Sequence, residues 1–489
     1  METTGCPADR RLVWVGALLL AACANHSSHP TTEPAAPAAS PAARSAAPAV
    51  ASEPPAPAVS IQDLEQLFGV SGSSSTSAGP PPDGAPSIEG YRRWMRKILE
   101  EPASYKVLTP VLLGVFVELP SDPVVGYLPL LEGQSRSKGT FYYRRKPCAE
   151  RELERVRPWW NASTEVWVCR DDHRPELLAD GDRTCDVMFP LPEGSRCGCG
   201  PNLMFCGTKE LKSSLREATR EELRLTLKHV IESGRPFGDL VTMNETVRSG
   251  LGDLFAARAE FFATGRFTPP DITRPPALRP RPYPLQGGLL STPLFLFGDS
   301  QRSMVAGIWE TFFCVPLRSQ EVETQNILDK LHSESAFRET GLLGLASAEG
   351  CQNCHARLEH GQAFLAGWQS WLKGMHYIPE VAAATPTARL YLRDHRDLRG
   401  EQESNLGSLG KMITKQPEFG RCMVSKATNF VYEGDVVPYE VERQLIRRFE
   451  KGQRMRDLLE DAVIARVFGA KALREGDGDA ADLAGSVER

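Results

Sequence analysis

Residues 351–355 of this chain read Cys-Gln-Asn-Cys-His, a pair of cysteines three apart with a histidine directly after the second. With 12 Cys and 9 His in 489 residues, only about 0.005 such matches are expected by chance. In a c-type haem site each thiol adds to one haem vinyl group, and the histidine then lies under the iron. A thiol redox pair does not require the histidine, and a zinc site needs further ligands at zinc-finger spacing. The motif therefore predicts one covalent haem c, held by Cys351 and Cys354, with His355 as the proximal iron ligand.

The N-terminus carries the export signal that covalent haem attachment outside the cytoplasm requires. Two arginines precede the apolar run 12–20, which is shorter than the ~20 residues that span a bilayer and suits a signal peptide. Residues 20–23, Leu-Ala-Ala-Cys, resemble the bacterial lipobox, which implies cleavage before Cys23 and a diacylglyceryl group on its sulfur. Ordinary cleavage after Ala24 is the alternative. By analogy with lipoproteins, Ala24 after the modified cysteine indicates sorting to the outer membrane, facing the periplasm or the cell surface.

Residues 24–86 consist mainly of Ala, Pro, Ser and Gly, with few large apolar side chains. Such a segment buries too little surface to offset the entropy of ordering, so we expect a disordered tether. The stretch 61–70, IQDLEQLFGV, is an amphipathic exception. A transient helix is the favoured interpretation of this stretch, and a docking segment is the alternative.

Beyond the tether, apolar residues recur with the period of a helix, and no convincing run alternates as in a strand. The expected helices are Ile88–Glu101, a helix with a capping box at Thr219–Glu222 that ends before Gly234, Met243–Phe262, Ser300–Phe313, Gln320–Leu331, a helix with Phe364, Leu365, Trp368 and Leu372, Phe419–Val431, Tyr439–Phe449 and Met455–Phe468. Residues 267–288 are Pro-rich and are expected to break both helix and sheet. The folded part is therefore predicted to be mostly α.

Eight cysteines remain once Cys6, Cys23 and the two of the motif are set aside. An even number in an exported chain favours disulfides. Six of them fall between 148 and 206, where we expect two or three bridges: Cys148, Cys169, Cys185, Cys197, Cys199 and Cys206. A metal or iron–sulfur site in this cluster is the less favoured alternative. Cys314 and Cys422 are a further candidate pair.

Composition excludes some classes of function. Apolar content of 41% and charged content of 24% are ordinary for a globular protein. The net charge of −5 and the absence of a basic run give no support to nucleic-acid binding.

The order of the motifs resembles that of the exported, multi-domain cytochrome-c-like proteins of planctomycetes and myxobacteria, which have three consecutive domains of uncharacterised function and a haem-type motif in the middle one. The matching segments are Leu240–Glu245, Gly288–Phe295 with Cys314, the motif itself, Phe419 with Cys422, Gly434, and Ala465 with Phe468. The resemblance spans about residues 88–469. It implies a multi-domain helical protein with a cytochrome-c-like domain.

After removal of the signal and the tether, about 400 residues remain, enough for two or three domains. The expected organisation is a lipoprotein signal peptide at 1–22, a disordered tether at 23–86, a helical Cys-rich domain at 87–265, a Pro-rich connector at 266–288, a cytochrome-c-like haem domain at 289–400, a C-terminal helical domain at 401–472 and a disordered tail at 473–489.

The distal iron ligand decides what such a haem does. A methionine or second histidine gives a six-coordinate electron carrier, whereas an open position permits peroxide or small-ligand chemistry. The candidates are Met375, preferred because it lies near Pro379, then Met412, with His376, Met423 and His360 behind them.

The leading hypothesis is single-electron transfer by a lipid-anchored envelope protein with an unidentified redox protein partner. A haem peroxidase or oxidase subunit is the second hypothesis, although no acid/base pair or nucleophile motif identifies an enzyme. The third is a non-catalytic binding or assembly protein whose motif carries no haem.

Overall fold

The computed structural model describes residues 60–70, 87–113, 130–136, 139–143, 147–170, 199–281, 285–296, 301–316, 357–358, 361–369, 376–377, 388–391, 397–399 and 405–473. This part of the chain is 61% helical, with twelve α-helices and small sheets. The protein is mostly α, as the sequence predicts.

The N-terminal helices are α1 (Ile61–Leu67), α2 (Ile88–Glu100) and α3 (Pro102–Leu113). Ser87 caps α2 as predicted, because its Oγ accepts a hydrogen bond from the Gly90 N–H at 3.1 Å. The apolar face of α2, which includes Trp94 and Ile98, is buried.

A four-stranded sheet follows that the sequence analysis did not predict. Its strands are β1 (Glu132–Arg136), β2 (Gly139–Tyr143), β3 (Leu153–Val156) and β4 (Val166–Cys169), in the order β1-β2-β4-β3. Only the β2–β4 pair is parallel within this sheet. The strands are four or five residues long. Such short alternations are hard to distinguish from loop sequence.

Helix α4 (Lys209–Glu232) starts well before the predicted capping box. Thr208 caps it by accepting the Leu211 N–H at 3.4 Å. The prediction of a helix start at Thr219 was wrong, since Thr219 donates its hydroxyl to the Arg216 carbonyl inside the helix. Glu222 is buried on the core face of α4.

The predicted helix 243–262 was wrong in its first half. The structure has α5 (Asp239–Thr242), then β5 (Glu245–Arg248), and helix α6 only at Asp253–Thr264. Gly250 separates strand from helix: a Cβ there would lie 1.9 Å from the Asp271 carbonyl oxygen, so only glycine fits.

The Pro-rich connector contains β6 (Ala277–Pro280), which pairs antiparallel with β5. The expectation that this segment excludes sheet was therefore wrong at these four residues. An edge position lets a strand tolerate proline because the missing N–H is not needed for the ladder.

The middle of the chain begins with a 3-10 turn at Gly288–Ser291, then α7 (Pro293–Leu296) and α8 (Gln301–Phe313), close to the predicted helix 300–313. The expected helix 320–331 lies outside the described residues. Where a helix through Phe364–Leu372 was predicted, the structure has a 3-10 turn at Ala363–Leu365 and a strand, which corrects that prediction. Glycines at 361 and 367 weaken a helix there. The short strands are β7 (Trp368–Gln369), β8 (His376–Tyr377), β9 (Arg389–Tyr391) and β10 (Asp397–Arg399).

Four helices complete the described chain, and the last three confirm the predicted ones. They are α9 (Leu406–Thr414), α10 (Pro417–Val431), α11 (Tyr439–Gly452) and α12 (Met455–Phe468). Helix α12 packs on α2, and α10 packs on both α3 and α8. Helices from all three predicted domains thus share one hydrophobic cluster. The domain boundaries themselves stay a prediction.

Within the described ranges, three cysteine pairs lie at disulfide distance: Cys148–Cys169, Cys199–Cys206 and Cys314–Cys422, with Cα–Cα separations of 5.8, 5.2 and 5.2 Å. The first two agree with the bridges expected in the 148–206 cluster, and the third joins α8 to α10. Cys185 and Cys197 lie outside the described residues.

Candidate functional site

The predicted haem motif, Cys351, Cys354 and His355, lies outside the described residues, as does the predicted lipidation site Cys23. The site assignment therefore stays a prediction. The structure does describe the chain that leaves the motif, at 357–358 and 361–369, and the helices against which it lies.

The chain after the motif is seated on α8. A Cβ added to Gly361 would lie 2.6 Å from Val305 Cγ1 and 3.4 Å from the Trp309 ring, so the backbone approaches α8 as closely as a glycine allows. Arg357 is buried, and Leu358 packs on the main cluster. The exit of the motif is thus fixed against a helix.

Large aromatic side chains form this seat. Trp309, Phe364 and Trp368 are no more than 3% exposed, and the Trp309 ring meets Phe313 edge-on with centroids 5.7 Å apart. All three side chains belong to the main hydrophobic cluster, so the chain that leaves the motif enters an apolar environment of the kind that would suit a porphyrin.

A small hairpin returns the chain toward the same place. Strands β7 and β8 are antiparallel, with Trp368 opposite Tyr377 and Gln369 opposite His376. The backbone of His376, a candidate distal ligand, thus lies beside the segment that follows the motif. Met375, the preferred candidate, and His360 lie outside the described residues.

Two other candidate ligands lie in buried helical positions. Met412 belongs to α9, which contacts the 3-10 turn at 363–365, and it is 8% exposed. Met423 belongs to α10, which packs on α8, and it is fully buried. The structure brings the helix of Met412 to the chain that leaves the motif.

Helix α8 is tied to its neighbours at its C-terminal end. The Cys314–Cys422 pair joins it to α10, and Thr311 Oγ1 donates to the Leu113 carbonyl of α3 at 3.1 Å. Lys426 of α10 donates to the adjacent Leu112 carbonyl at 2.9 Å. Burial lowers the pKa of Lys426 to about 8, and Glu310 opposes this shift. We call α2, α3, α8, α10, α11 and α12 the helical frame.

A buried ionic cluster holds the Pro-rich connector against α4. Sequence reasoning missed this cluster. Arg281 is 3% and Glu222 1% exposed on their side chains, and the two form an ion pair. Thr246 donates to Glu222 at 2.6 Å and accepts from Arg281 at 2.9 Å. Asp253 of α6 pairs with Arg248 and with Arg279, each at 2.6 Å. The signal was a glutamate in register with Leu215 and Thr219 on an apolar helix face.

Burial lowers the pKa of the Arg281 guanidinium, while Glu222 opposes the shift. Every partner in the cluster is a side chain or carbonyl of this chain. Its arrangement therefore fixes β5, β6 and α6 on α4. Among the described residues, Glu222 Oε2 is buried in the cluster without a hydrogen-bond partner.

Arg258 is a second buried cation that the sequence analysis did not single out. It donates from Nε to the Met204 carbonyl at 2.9 Å, and its guanidinium lies 5.7 Å from the ring centroids of Phe205 and Phe255. Burial lowers its pKa to about 9. It fastens the 3-10 turn at Pro201–Leu203, within the Cys199–Cys206 loop, to α6.

In the described part of the chain, no group of three or more His, Cys, Asp or Glu is placed to hold a metal ion. Among the same residues, none of the helices has the length and apolar character needed to cross a membrane. A cavity of about 340 Å³ lies between α11 and α12, lined by side chains of both charges, Arg448, Lys451, Asp457 and Asp461 among them.

Comparisons of the chain with protein-family models, curated proteins and solved structures gave no match.

Proposed function

We propose that this protein is a lipid-anchored c-type cytochrome of the cell envelope that passes single electrons. The observation that carries the proposal is the Cys-x-x-Cys-His sequence at 351–355 in a chain that begins with a lipoprotein-type export signal. Cys351 and Cys354 would hold the porphyrin, His355 would ligate the iron, and Cys23 would carry the lipid. When bound, the haem supplies a metal centre that takes up and releases one electron.

The surroundings of the motif support this reading. The chain after it carries Phe364 and Trp368 and lies against Trp309 of α8, and all three side chains are buried. An apolar environment of this kind would keep water away from an attached porphyrin, and low solvent exposure is one of the levers that tune a haem potential. Covalent attachment keeps the group bound outside the cell, where it cannot be replaced.

For the distal position we propose Met375 first and Met412 second. Met375 is six residues beyond the end of the Trp368–Gln369 strand and precedes β8 directly. Met412 has the support that its helix contacts the 3-10 turn after the motif. A thioether at the sixth position favours electron transfer over ligand chemistry.

The test is expression of the exported chain together with a haem-attachment system, followed by a pyridine haemochrome assay and mass spectrometry of the peptide containing 351–355. We expect a c-type spectrum and one haem on that peptide. The C351A/C354A variant is expected to lack haem, whereas C314S/C422S, which also removes two cysteines, is expected to retain it.

Free or mutually bridged sulfurs at 351 and 354 in correctly exported protein would refute the haem assignment and leave the binding or assembly protein. Spectra of the reduced protein with carbon monoxide separate the two haem readings. An unchanged spectrum is expected for a six-coordinate carrier, and a shifted Soret band would point instead to a haem enzyme with an open position.

A further inference from the structure

Residues 60–70 form a short helix with both ends defined by its own sequence. Ser60 Oγ accepts the Asp63 N–H at 3.1 Å, and the Asp63 carboxylate accepts the Ser60 N–H at 3.0 Å, a complete capping box. At the other end Gly69 has φ +69°, and the N–H groups of Gly69 and Val70 donate to Gln66 and Glu65 carbonyls, each at 3.0 Å. A seven-residue helix is not stable alone in water, so something else holds it.

The helix is held by one apolar face. Ile61, Leu64 and Phe68 recur at spacings of three and four, and Leu64 and Phe68 are fully buried. Val70, after the glycine turn, is 3% exposed, whereas Gln66 on the opposite face is exposed. This is the pattern by which a short amphipathic helix binds in a hydrophobic groove. The structure thus favours the docking interpretation that the sequence analysis ranked second.

The groove is made by helices α3 and α10 of the frame. The Phe68 ring meets Phe430 of α10 edge-on, with centroids 5.1 Å apart. Gly69 lies against α3, where a Cβ would stand 2.9 Å from Val107 Cγ2. The Asp63 carboxylate stays in the capping box, and Arg466 of the neighbouring α12 pairs with Glu433 at 2.9 Å. Docking of the segment therefore rests on its apolar face.

The groove does not depend on α1 for its walls. Helices α3 and α12 each pack on α10, and all three belong to the cluster that joins α2 and α8 as well. The chain on either side of α1, at 24–59 and 71–86, has the composition of a linker. Residues 71–86 reach at most about 3.5 Å per residue, and a linker of this kind holds a ligand near its site at about millimolar effective concentration.

We propose that residues 60–70 are a tethered peptide ligand of the groove on α3 and α10, which leaves and rebinds while the helical frame stays folded. With the lipid anchor of the proposed function at Cys23, the docked state leaves 24–59 between membrane and body, and release extends this span to 86. That consequence rests on the proposed function, whereas the docking itself does not.

The test uses the full chain with a cleavage site for a specific protease placed within 71–86. After folding and cleavage, we expect the N-terminal piece to stay bound at high protein concentration and to dissociate on dilution, followed by size-exclusion chromatography. Far-UV circular dichroism of the remaining body is expected to keep its helical signal. Loss of the body's fold when the piece leaves would overturn the proposal, because residues 60–70 would then be an integral part of the core.

Rebinding of a fluorescent peptide of residues 59–71 to the cleaved body, measured by anisotropy, is expected to be saturable. A peptide with Phe68→Ala is expected to bind at least about tenfold more weakly, since it loses the ring buried against Phe430. A Gln66→Ala peptide, altered on the exposed face, is the matched control and is expected to bind like the original. Equal binding by all three peptides, or none by the original, contradicts the proposal.

Exchange of the segment between two copies is a separate outcome of the same experiment. A dimer of the uncleaved chain that disappears after cleavage would show that the groove takes the segment of a second copy, and would overturn docking within one chain. Neither haem nor lipid enters these measurements, so their failure leaves the proposed function standing, and absence of haem leaves the docking result unaffected.

Discussion

The helical frame and the segment at 357–399 that follows the motif are held together in different ways. The frame consists of helices of 12 to 15 residues with broad buried faces. The described part of the other segment has a 3-10 turn and strands of two or three residues. Elements that short gain little from their own hydrogen bonds. The stability of the segment therefore depends on its packing against α8 and, in the proposed function, on the porphyrin.

The strongest way to sharpen this contrast is to remove the haem of the proposed function. In C351A/C354A we expect amide hydrogen exchange to rise by about tenfold or more at 357–369, because the segment loses one of its two supports. Amides of α10 and α12 are expected to change little. Hydrogen exchange with mass spectrometry on both proteins measures the two regions together, and C314S/C422S serves as the control for loss of two cysteines. Equal rises in both regions would show that frame and segment form one cooperative unit.

Arg281→Met is expected to cause a large loss of stability without changing the Cys-x-x-Cys-His motif. It leaves Glu222 buried without its cation, for which we expect a loss of about 3–5 kcal/mol in the free energy of unfolding. Denaturant melts give this value, and the haem absorbance per folded molecule is expected to stay constant. The double variant E222Q/R281M is expected to recover part of the loss. A free energy of unfolding equal to that of the wild type would mean that the ion pair does not stabilise the packing of the connector on α4.

Gly361→Ala acts on the boundary between the two regions. The added methyl meets Val305 at 2.6 Å, and the overlap is expected to cost about 1–3 kcal/mol and to alter the haem spectrum. Val305→Ala removes the opposing methyl groups, so the double variant is expected to regain the spectrum of V305A. Thermal melts and visible spectra of the four proteins complete the cycle. If the loss of stability in the double variant equals the sum of the losses in the two single variants, the close approach of Gly361 to Val305 is not the cause of the loss in Gly361→Ala.

The effect expected from Lys426 appears only in alkaline solution. Its pKa of about 8 in the folded protein lies below the ~10.4 of the unfolded chain, so the unfolded state binds more protons between these values. Stability of the wild type is therefore expected to rise with pH across this window, relative to Lys426→Met, by up to about 3 kcal/mol. Denaturant melts of both proteins at pH 7.5 and 10 give the difference. If the difference in the free energy of unfolding between the two proteins is the same at both pH values, the Lys426 amine is exposed to water in the folded protein.

The sequence predicted the helices whose apolar faces are long, such as α2, α10 and α12, because many residues repeat the same period. It missed the start of α4, since among residues 209–218 only Leu211, Leu215 and Ala218 are apolar, too few to establish the helical period. The sheet β1–β4 was missed because each strand offers only two or three inward positions.

For the candidate site, the local sequence identifies the residues that would bond to a haem, but it does not predict which parts of the fold surround them. The spacing of Cys351, Cys354 and His355 carries the haem hypothesis, which the described residues do not test. The packing of the chain after the motif depends on the close approach of Gly361 to Trp309, two residues more than fifty positions apart. No periodicity within either segment encodes that contact. Glu222 shows the same limit, since only the fold reveals Arg281 as its partner.

The pairing of Cys314 with Cys422 encloses the motif in a covalent ring, with a sequence separation of 108 residues between the two sulfurs. A single proteolytic cut anywhere inside this ring leaves both pieces connected until a reductant opens it. Under the proposed function the polypeptide is exported unfolded, and the order of the two reactions then matters. If the ring closes first, the thiols at 351 and 354 are spared from pairing with these two cysteines before the proposed haem is attached.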